Sequence, residues 1–191
     1  LMIQANRNGF FYVLDRTNGR FLLGKPFIKR LTWASGLDKN GRPIPNPGME
    51  GYDLEKNTLC PWVRGATNWM SPSYNPVTKL FYVVTLEQCG REKGDFYLKA
   101  IDPGSGDIRW EYPMPGPSNM TAGTLSTAGG LVFAGDDSGH LVALNAKTGK
   151  RLWQFAMGRA IFASPMTYAV NGWQYVAIVS GSDVFSFRLF K

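Results

Sequence analysis

The sequence predicts an all-β fold, part of a β-propeller, from two observations. The first is a repeat: residues 102–110 read DPGSGDIRW and residues 145–153 read NAKTGKRLW. The two copies begin 43 residues apart (145 − 102), which lies within the spacing of roughly 40–50 residues for propeller blades of four short strands. The second observation is that short alternating apolar runs, separated by turn residues, recur along the chain without helical periodicity.

Each copy of the repeat predicts a hairpin turn followed by a strand. The central Gly106 and Gly149 suit the positive φ of a bulged turn, which other residues adopt only with strain. The tryptophans that end the two copies, Trp110 and Trp153, then fall on the strand that leaves the turn. A large indole at a fixed place in each repeat is expected to pack between neighbouring sheets.

A weaker third copy begins at Asp15 and keeps the Asp and the Gly, with Leu23 where the tryptophan would stand. It precedes the copy at Asp102 by 87 residues (102 − 15), close to two periods. The acidic or amide residue that opens each copy is expected to anchor its turn.

These repeats predict a division of the chain into blades. We expect a partial blade over about residues 1–37, a long Pro/Gly/Asn-rich insertion over 38–64, blades over 66–115 and 116–158, and closing strands over 159–191. Long insertions of this kind are usually functional, or at least face a ligand. Because so few blades leave open strand edges, we expect the chain to be the C-terminal part of a longer protein, or to be completed by missing N-terminal blades or another chain.

Composition excludes several classes of function. Hydrophobic residues make up 44% and charged residues 18% of the chain, which is typical of a globular protein and not of a disordered one. The formal net charge is +7, but the basic residues are dispersed and no nucleic-acid-binding motif occurs, so no nucleic-acid partner is expected. No apolar run approaches the ~18 residues of a membrane span.

Few residues suggest chemistry on their own. Two cysteines, Cys60 and Cys89, cannot form a zinc site by themselves, and either a disulfide or two free thiols is possible. The single histidine, His140, follows Asp136 and Asp137 in the stretch DDSGH. That stretch predicts a solvated hairpin tip, and not a catalytic pair.

Three longer motifs carry a family resemblance: QANRNGFFYVLDRTNG at residues 4–19, GATNWMSPSYNP at 65–76 and GTLSTAGGLVFAG at 123–135. Together with the repeats, they resemble the pyrroloquinoline-quinone (PQQ)-dependent alcohol dehydrogenases of the methanol and ethanol dehydrogenase type. The resemblance extends over essentially the whole chain. It implies the C-terminal blades of an eight-bladed propeller, and the repeat resembles the tryptophan-docking motif of that family.

The resemblance implies an oxidoreductase that oxidises primary alcohols by hydride transfer to PQQ. A Ca²⁺ or lanthanide ion would act as Lewis acid, and cytochrome c or a quinone would accept the electrons in the periplasm. The family's catalytic aspartate and metal ligands would precede residue 1, so no catalytic or metal-binding residue is expected here and the segment alone should be inactive. Cys60 and Cys89 match a disulfide found in some members.

Four residues match cofactor-binding positions of the family. Arg7 matches the arginine that hydrogen-bonds the quinone oxygens, and a cation there would stabilise negative charge developing on them. Asn68 matches an asparagine at the cofactor rim, Trp69 would form a wall of the pocket, and Thr121 opens a loop that lies against the cofactor. Position alone also allows Arg7 to pair with a carboxylate and Asn68 to cap its own turn.

The chain departs from the family pattern at two places. A tryptophan of the family stands where this sequence has Thr121 or a neighbour, and the Gly-Trp near the C-terminus of the family is replaced by Gly181-Ser-Asp. Two alternatives therefore stay open: a non-catalytic propeller that serves as a scaffold or assembly protein of the bacterial envelope, and a sugar-oxidising relative.

Overall fold

The computed structural model describes residues 1–49, 59–116 and 122–189, and within these ranges the chain is built from β-strands joined by turns. Four antiparallel sheets follow one another, and each is a meander in which sequential strands pair. Sheet 1 contains β1 (Met2–Ala5), β2 (Phe10–Leu14) and β3 (Phe21–Pro26). Sheet 2 contains β6 (Ser73–Asn75), β7 (Leu80–Glu87), β8 (Asp95–Ile101) and β9 (Ile108–Met114).

The remaining strands complete the same pattern. Sheet 3 contains β10 (Thr124–Ser126), β11 (Leu131–Gly135), β12 (His140–Asn145) and β13 (Arg151–Ala156). Sheet 4 contains β14 (Met166–Val170), β15 (Trp173–Ser180) and β16 (Asp183–Arg188). A two-stranded hairpin, β4 (Ala34–Leu37) with β5 (Pro43–Pro45), lies between sheets 1 and 2. The described residues contain no helix long and apolar enough to cross a membrane.

The predicted all-β, partial propeller fold is confirmed, and its core lies between the sheets. Phe11 of sheet 1 packs with Phe81 of sheet 2, and their ring centroids are 5.5 Å apart. Leu98 of sheet 2 belongs to one buried cluster with Val142 and Leu144 of sheet 3. Strands in the middle of sheets 2 and 3 are covered on both faces, which explains why β7 reads as a nearly continuous apolar run.

The antiparallel meander separates the turns into two sets. The repeated turns of the sequence join β2 to β3, β8 to β9 and β12 to β13, and we call this edge of the sheets the repeat end. The turns β1–β2, β7–β8 and β11–β12 and the connections from one sheet to the next lie at the opposite edge, which we call the connection end.

Trp110 fills a contact between sheets 2 and 3 at the repeat end. Its indole Nε1 donates to the carbonyl of Ala146 (3.1 Å), and its ring lies 5.7 Å from that of Tyr82. Gly149 has φ +71°, and a Cβ there would lie 2.7 Å from the Trp110 ring. The glycine is therefore required both by its backbone conformation and by the neighbouring indole.

The long insertion begins with regular structure that the sequence prediction missed. Within the turn between β4 and β5, the Asp38 carboxylate accepts hydrogen bonds from the backbone N–H groups of Asn40 (2.8 Å) and Arg42 (2.9 Å). Gly41 takes a positive φ of +79°. The sequence DKNGR at residues 38–42 is typical of a hairpin turn. The turn was missed because the strands on either side contain only four and three residues.

Candidate functional site

Arg7 lies at the connection end, on the tight turn between β1 and β2. The turn closes through the backbone N–H of Asn6, which donates to the carbonyl of Phe10 (3.0 Å), while the Asn8 side chain accepts from the N–H of Phe10 (3.0 Å). Gly9 takes a φ of +94°, which its lack of a side chain permits. This turn leaves the Arg7 side chain exposed.

The loop before sheet 2 lies directly on this turn. The Arg7 guanidinium donates to the carbonyl of Val63 (2.6 Å), and the N–H of Ala66 donates to the carbonyl of Arg7 (2.9 Å). A Cβ at Gly65 would come within 2.8 Å of the Arg7 Cβ. In the described ranges no carboxylate pairs with Arg7, so its remaining N–H groups have no protein acceptor there.

Asn68 lies three residues after Gly65 on this loop, and its side chain is exposed. Its side-chain N–H donates to the carbonyl of Arg64 (3.1 Å), so it caps its own turn as the plainer interpretation predicted. Its amide oxygen accepts no hydrogen bond from the described residues. Two bonds hold the loop on β7: the Thr67 hydroxyl donates to the carbonyl of Val84 (2.9 Å), and the N–H of Leu86 to that of Ala66 (2.7 Å).

Trp69 is the tryptophan with the largest exposure among the described residues, at 53%. It forms part of a cavity of about 370 Å³ beside Asn68. The cavity is lined by one loop and the ends of two strands: Arg64, Gly65, Thr67, Asn68, Trp69, Met70, Leu86 and Phe96. Leu86 and Phe96 are brought together because they face each other in the β7–β8 pairing, and no local sequence signal announces that contact.

Thr121 lies outside the described residues. The described part of its loop begins at Ala122 and runs beside Ser71, since the N–H of Thr124 donates to the carbonyl of Ser71 (2.8 Å). A Cβ at Gly123 would lie 2.7 Å from backbone atoms of Ser71. The loop that follows Thr121 is therefore in contact with the loop that carries Asn68 and Trp69.

Cys60 and Cys89 form a disulfide, with their Cα atoms 4.4 Å apart and a sequence separation of 29. It joins the loop before sheet 2 to the β7–β8 turn. Two backbone bonds run beside it: the N–H of Trp62 donates to the carbonyl of Gln88 (3.0 Å), and the N–H of Gly90 to that of Leu59 (3.0 Å). The disulfide and these two backbone hydrogen bonds therefore hold the loop before sheet 2, which contacts Arg7, against the β7–β8 turn.

The prediction of a solvated tip at Asp136 and Asp137 is wrong. Their exposed fractions are 3% and 7%. The connection after β13 covers the tip, since the N–H of Ile161 donates to the carbonyl of Asp136 (3.2 Å). Burial raises the pKa of Asp136, and the hydrogen bond that its carboxylate accepts from the backbone N–H of His140 (2.8 Å) opposes this effect.

No group of three His, Cys, Asp or Glu side chains in the described residues is arranged to hold a metal ion. The site is instead a surface at the connection end that presents a guanidinium, a carboxamide and an indole beside an apolar cavity. Arg64, Met70, Leu86 and Phe96 belong to it and were not predicted from sequence. Such a surface defines the class of protein: a propeller segment with a candidate ligand-binding site at its connection end.

Comparisons with known proteins identify the family. The family model for the β-propeller domain of glucose, ethanol and alcohol dehydrogenases that use PQQ matches residues 98–176. The quinoprotein alcohol dehydrogenase PedH of Pseudomonas putida is 42% identical over 93% of this chain and 35% of its own length. The chain is therefore homologous to a segment of the quinoprotein alcohol dehydrogenases and spans about a third of the length of the curated relatives it matches.

Comparison with solved structures identifies the same family. The quinohemoprotein alcohol dehydrogenase from Comamonas testosteroni superposes with a TM-score of 0.85 at 33% identity, over 94% of this chain and 31% of that one. A europium-containing methanol dehydrogenase gives a TM-score of 0.84 at 30% identity, over 94% of this chain and 36% of the other.

Proposed function

We propose that the complete protein carrying this segment is a PQQ-dependent alcohol dehydrogenase and that the connection end contributes part of its cofactor site. The observation that carries the proposal is the common anchoring of Arg7 and Asn68 on the loop of residues 63–66, with polar atoms of both side chains left without a partner among the described residues. A scaffold protein would have no need, at this place, of an exposed arginine that pairs with no carboxylate of the described residues.

The residues present fit the cofactor by their chemistry. PQQ is a planar o-quinone with carboxylates, and it supplies the hydride acceptor when bound. The N–H groups of Arg7 that have no acceptor among the described residues would hydrogen-bond a quinone oxygen and would stabilise negative charge there. The amide of Asn68 orients the ring edge without adding charge, Trp69 forms a wall of the site, and Thr121 is assigned to the loop against the cofactor.

The other parts of the activity are assigned outside the described residues. The aspartate base and the ligands of a Ca²⁺ or lanthanide ion are expected in the remainder of the complete protein. A cytochrome c or a quinone is the proposed electron acceptor. The Cys60–Cys89 disulfide is consistent with the proposed periplasmic location, since disulfides persist in oxidising compartments.

Arg7→Ala in the complete protein tests this function. We expect dye-linked oxidation of primary alcohols to fall by about a hundredfold or more, because removing one preorganised donor to a developing oxyanion costs that much in comparable sites. Binding of PQQ, followed by its absorbance after gel filtration, should weaken in the same variant.

The matched control is Arg16→Ala, an exposed arginine in the turn between β2 and β3 at the repeat end. It should leave both readouts unchanged. Oxidation and PQQ retention close to wild type in Arg7→Ala would refute the assignment of Arg7. A complete protein that neither binds PQQ nor oxidises alcohols would favour the scaffold alternative.

A further inference from the structure

The turns at the repeat end carry many basic side chains. Because the strands of an antiparallel meander turn alternately at its two edges, the segments that join strands at this end are residues 15–20, 76–79, 102–107, 127–130, 146–150 and 171–172. The hairpin turn at 38–42 belongs to the same end, since a Cβ at Gly41 would lie 2.3 Å from the ring of Phe21, the first residue of β3. Together these turns expose seven basic residues: Arg16, Arg20, Lys39, Arg42, Lys79, Lys147 and Lys150.

The carboxylates in these turns do not neutralise the seven cations. There are four of them: Asp15, Asp38, Asp102 and Asp107. Asp102 pairs with Arg109 (3.0 Å) and Asp107 with Lys25 (2.6 Å), two cations outside these turns. Asp15 and Asp38 accept hydrogen bonds from backbone N–H groups of their own turns. Within the described ranges none of the seven cations forms a salt bridge.

The hairpin turns at the connection end show no such excess. They comprise residues 6–9, 88–94, 136–139 and 181–182. They contain three basic and three acidic residues: Arg7, Arg91, Lys93, Glu92, Asp136 and Asp137. The basic residues are dispersed along the sequence, but the fold gathers the unpaired ones of the turns at one end of the molecule.

The turn between β6 and β7 presents a lysine beside an exposed apolar side chain. The buried Asn75 holds the turn: its Oδ1 accepts from the N–H of Val77 (2.9 Å), and its Nδ2 donates to the carbonyl of Thr127 (2.9 Å). Lys79 takes a φ of +58°, a left-handed conformation that glycine adopts at lower cost. Val77 is 75% exposed. The turn therefore carries both a strained lysine and an apolar tip in water, and neither serves the packing of the sheet.

The turns β6–β7 and β12–β13 are joined, so Lys79 and Lys147 lie on one surface. The hydroxyl of Tyr82 donates to the carbonyl of Ala146 (2.9 Å), the residue before Lys147, and forms a second bond with the hydroxyl of Thr78 (2.7 Å). Because a propeller repeats radially, further blades are expected to pack beside sheets 1 and 4. The ends of sheets 2 and 3 then stay uncovered in the complete protein.

We propose that the repeat end binds the surface of an anionic phospholipid bilayer. Such a surface presents mobile negative headgroups, so cations on separate turns each meet a phosphate without any fixed spacing. The exposed Val77 enters the boundary between headgroups and acyl chains. An acidic protein would have to match the cations at fixed positions, and no hydrogen bond or ion pair among the described residues fixes the seven side chains. The inference does not depend on the proposed dehydrogenase activity.

The first test is co-sedimentation of the complete protein with vesicles, without PQQ or alcohol. The protein should bind vesicles of equal parts phosphatidylcholine and phosphatidylglycerol at about 0.1 M salt and should be released at about 1 M, because the Debye length falls from about 10 Å to about 3 Å. Vesicles of phosphatidylcholine alone should not bind it. Absence of binding to the anionic vesicles, or binding to polyglutamate in its place, would overturn the proposal.

A charge-matched pair of variants tests the assignment to this end. Lys79→Gln/Lys147→Gln/Lys150→Gln should lower the partition coefficient on the anionic vesicles by about a hundredfold, since each cation near the surface contributes about fivefold. The control, Arg30→Gln/Arg91→Gln/Lys93→Gln, removes the same charge from exposed residues at the connection end. It should leave the partition coefficient nearly unchanged, and equal losses in the two variants would contradict the proposal.

Lys79→Gly separates the lysine side chain from the turn that carries it. Glycine adopts the positive φ of this position without strain, so the melting temperature should not fall. The partition coefficient on the anionic vesicles should nevertheless fall by about fivefold. An unchanged partition coefficient would contradict the proposal.

Footprinting of the unmodified sequence shows which end faces the bilayer. Anionic vesicles should protect Lys79, Lys147 and Lys150 from acylation by an amine reagent, as measured by mass spectrometry, and should leave the exposed Lys93 of the connection end reactive. Protection of Lys93 in their place, or unchanged acylation of all four lysines, would overturn the proposal.

Discussion

At the scale of single residues, the most informative side chain is that of Asp136, for which the neighbouring sequence predicted exposure and the structure shows burial. Asp136 stands in the letters DDSGH, which are typical of an exposed tip, yet the connection after β13 buries it. His140 lies against its carboxylate: the backbone N–H of His140 donates to it (2.8 Å), and the His140 Nδ1 lies 3.3 Å from it. Local polarity predicts exposure only when no distant segment returns over the turn.

The raised pKa of Asp136 predicts a pH-dependent stability. Above its ordinary pKa the carboxyl is ionised in the unfolded chain, but in the folded protein it resists ionisation. The folded state therefore holds the proton more tightly, and its stability falls as pH rises from the unfolded pKa through the raised, folded one. Asp136→Asn keeps an acceptor for the N–H of His140 and removes this penalty.

We expect the melting temperature of Asp136→Asn, relative to wild type, to be higher at about pH 8 than at about pH 4. Calorimetry of the complete protein checks this. An advantage of the variant that is equal at both pH values, or larger at the lower one, would contradict the assigned cause.

At the scale of elements, the glycine of the repeated turn has two separate structural roles that cannot be distinguished from the sequence. Gly19 and Gly149 occupy equivalent turns, with φ of +74° and +71°. Nothing lies within 4 Å of a Cβ built at Gly19, whereas one at Gly149 meets the ring of Trp110 at 2.7 Å. Gly19 is therefore required only by the positive φ of its turn. Gly149 is required by its positive φ and also because a side chain there would collide with the indole of Trp110.

Replacing each of these glycines by alanine should separate the two roles by the loss of stability that each substitution causes. Gly19→Ala should cost about 1 kcal/mol of stability, for the strained backbone alone. Gly149→Ala should cost roughly 1–3 kcal/mol more, because the methyl group overpacks the Trp110 contact. Thermal unfolding of both variants in the complete protein measures the difference, and equal losses would show that the contact with Trp110 carries no energy.

The same elements show what could be predicted from sequence. The strands flanking the repeats were expected because their apolar runs are bounded by turn residues, and β8 and β12 lie where those runs do. Arg7, Asn68 and Trp69 were chosen as candidate site residues from the family motifs. The contact of Leu86 with Phe96 in the cavity beside Asn68 was not predicted, since these two residues meet only through the pairing of β7 with β8.

At the scale of the whole molecule, sheets 1 and 2 are joined by more than the contact of their apolar faces. Lys99 of β8 is completely buried, and its Nζ donates to the carbonyl of Phe27 (2.9 Å) and to the carboxylate of Glu87. A buried cation of this kind is tolerated only where it is paired. It ties sheet 2 to the segment that follows β3, on the same side of the molecule as the Cys60–Cys89 disulfide.

The disulfide is expected to couple the stability of this junction to the cofactor site. Because it closes a loop of 29 residues, its removal in Cys60→Ser/Cys89→Ser should cost about 3–4 kcal/mol in the chain-entropy account. The loop it fastens includes the carbonyl of Val63 that receives the Arg7 guanidinium, so PQQ should also be retained less well.

Melting temperature and PQQ retention of the complete protein test both effects. Cys89→Ser alone should reproduce the double variant, since either change breaks the bond. A loss of stability with unchanged PQQ retention would confine the disulfide to a structural role. Unchanged stability would show that the backbone bonds of Trp62 and Gly90 suffice to hold the loop on the β7–β8 turn without the covalent bond.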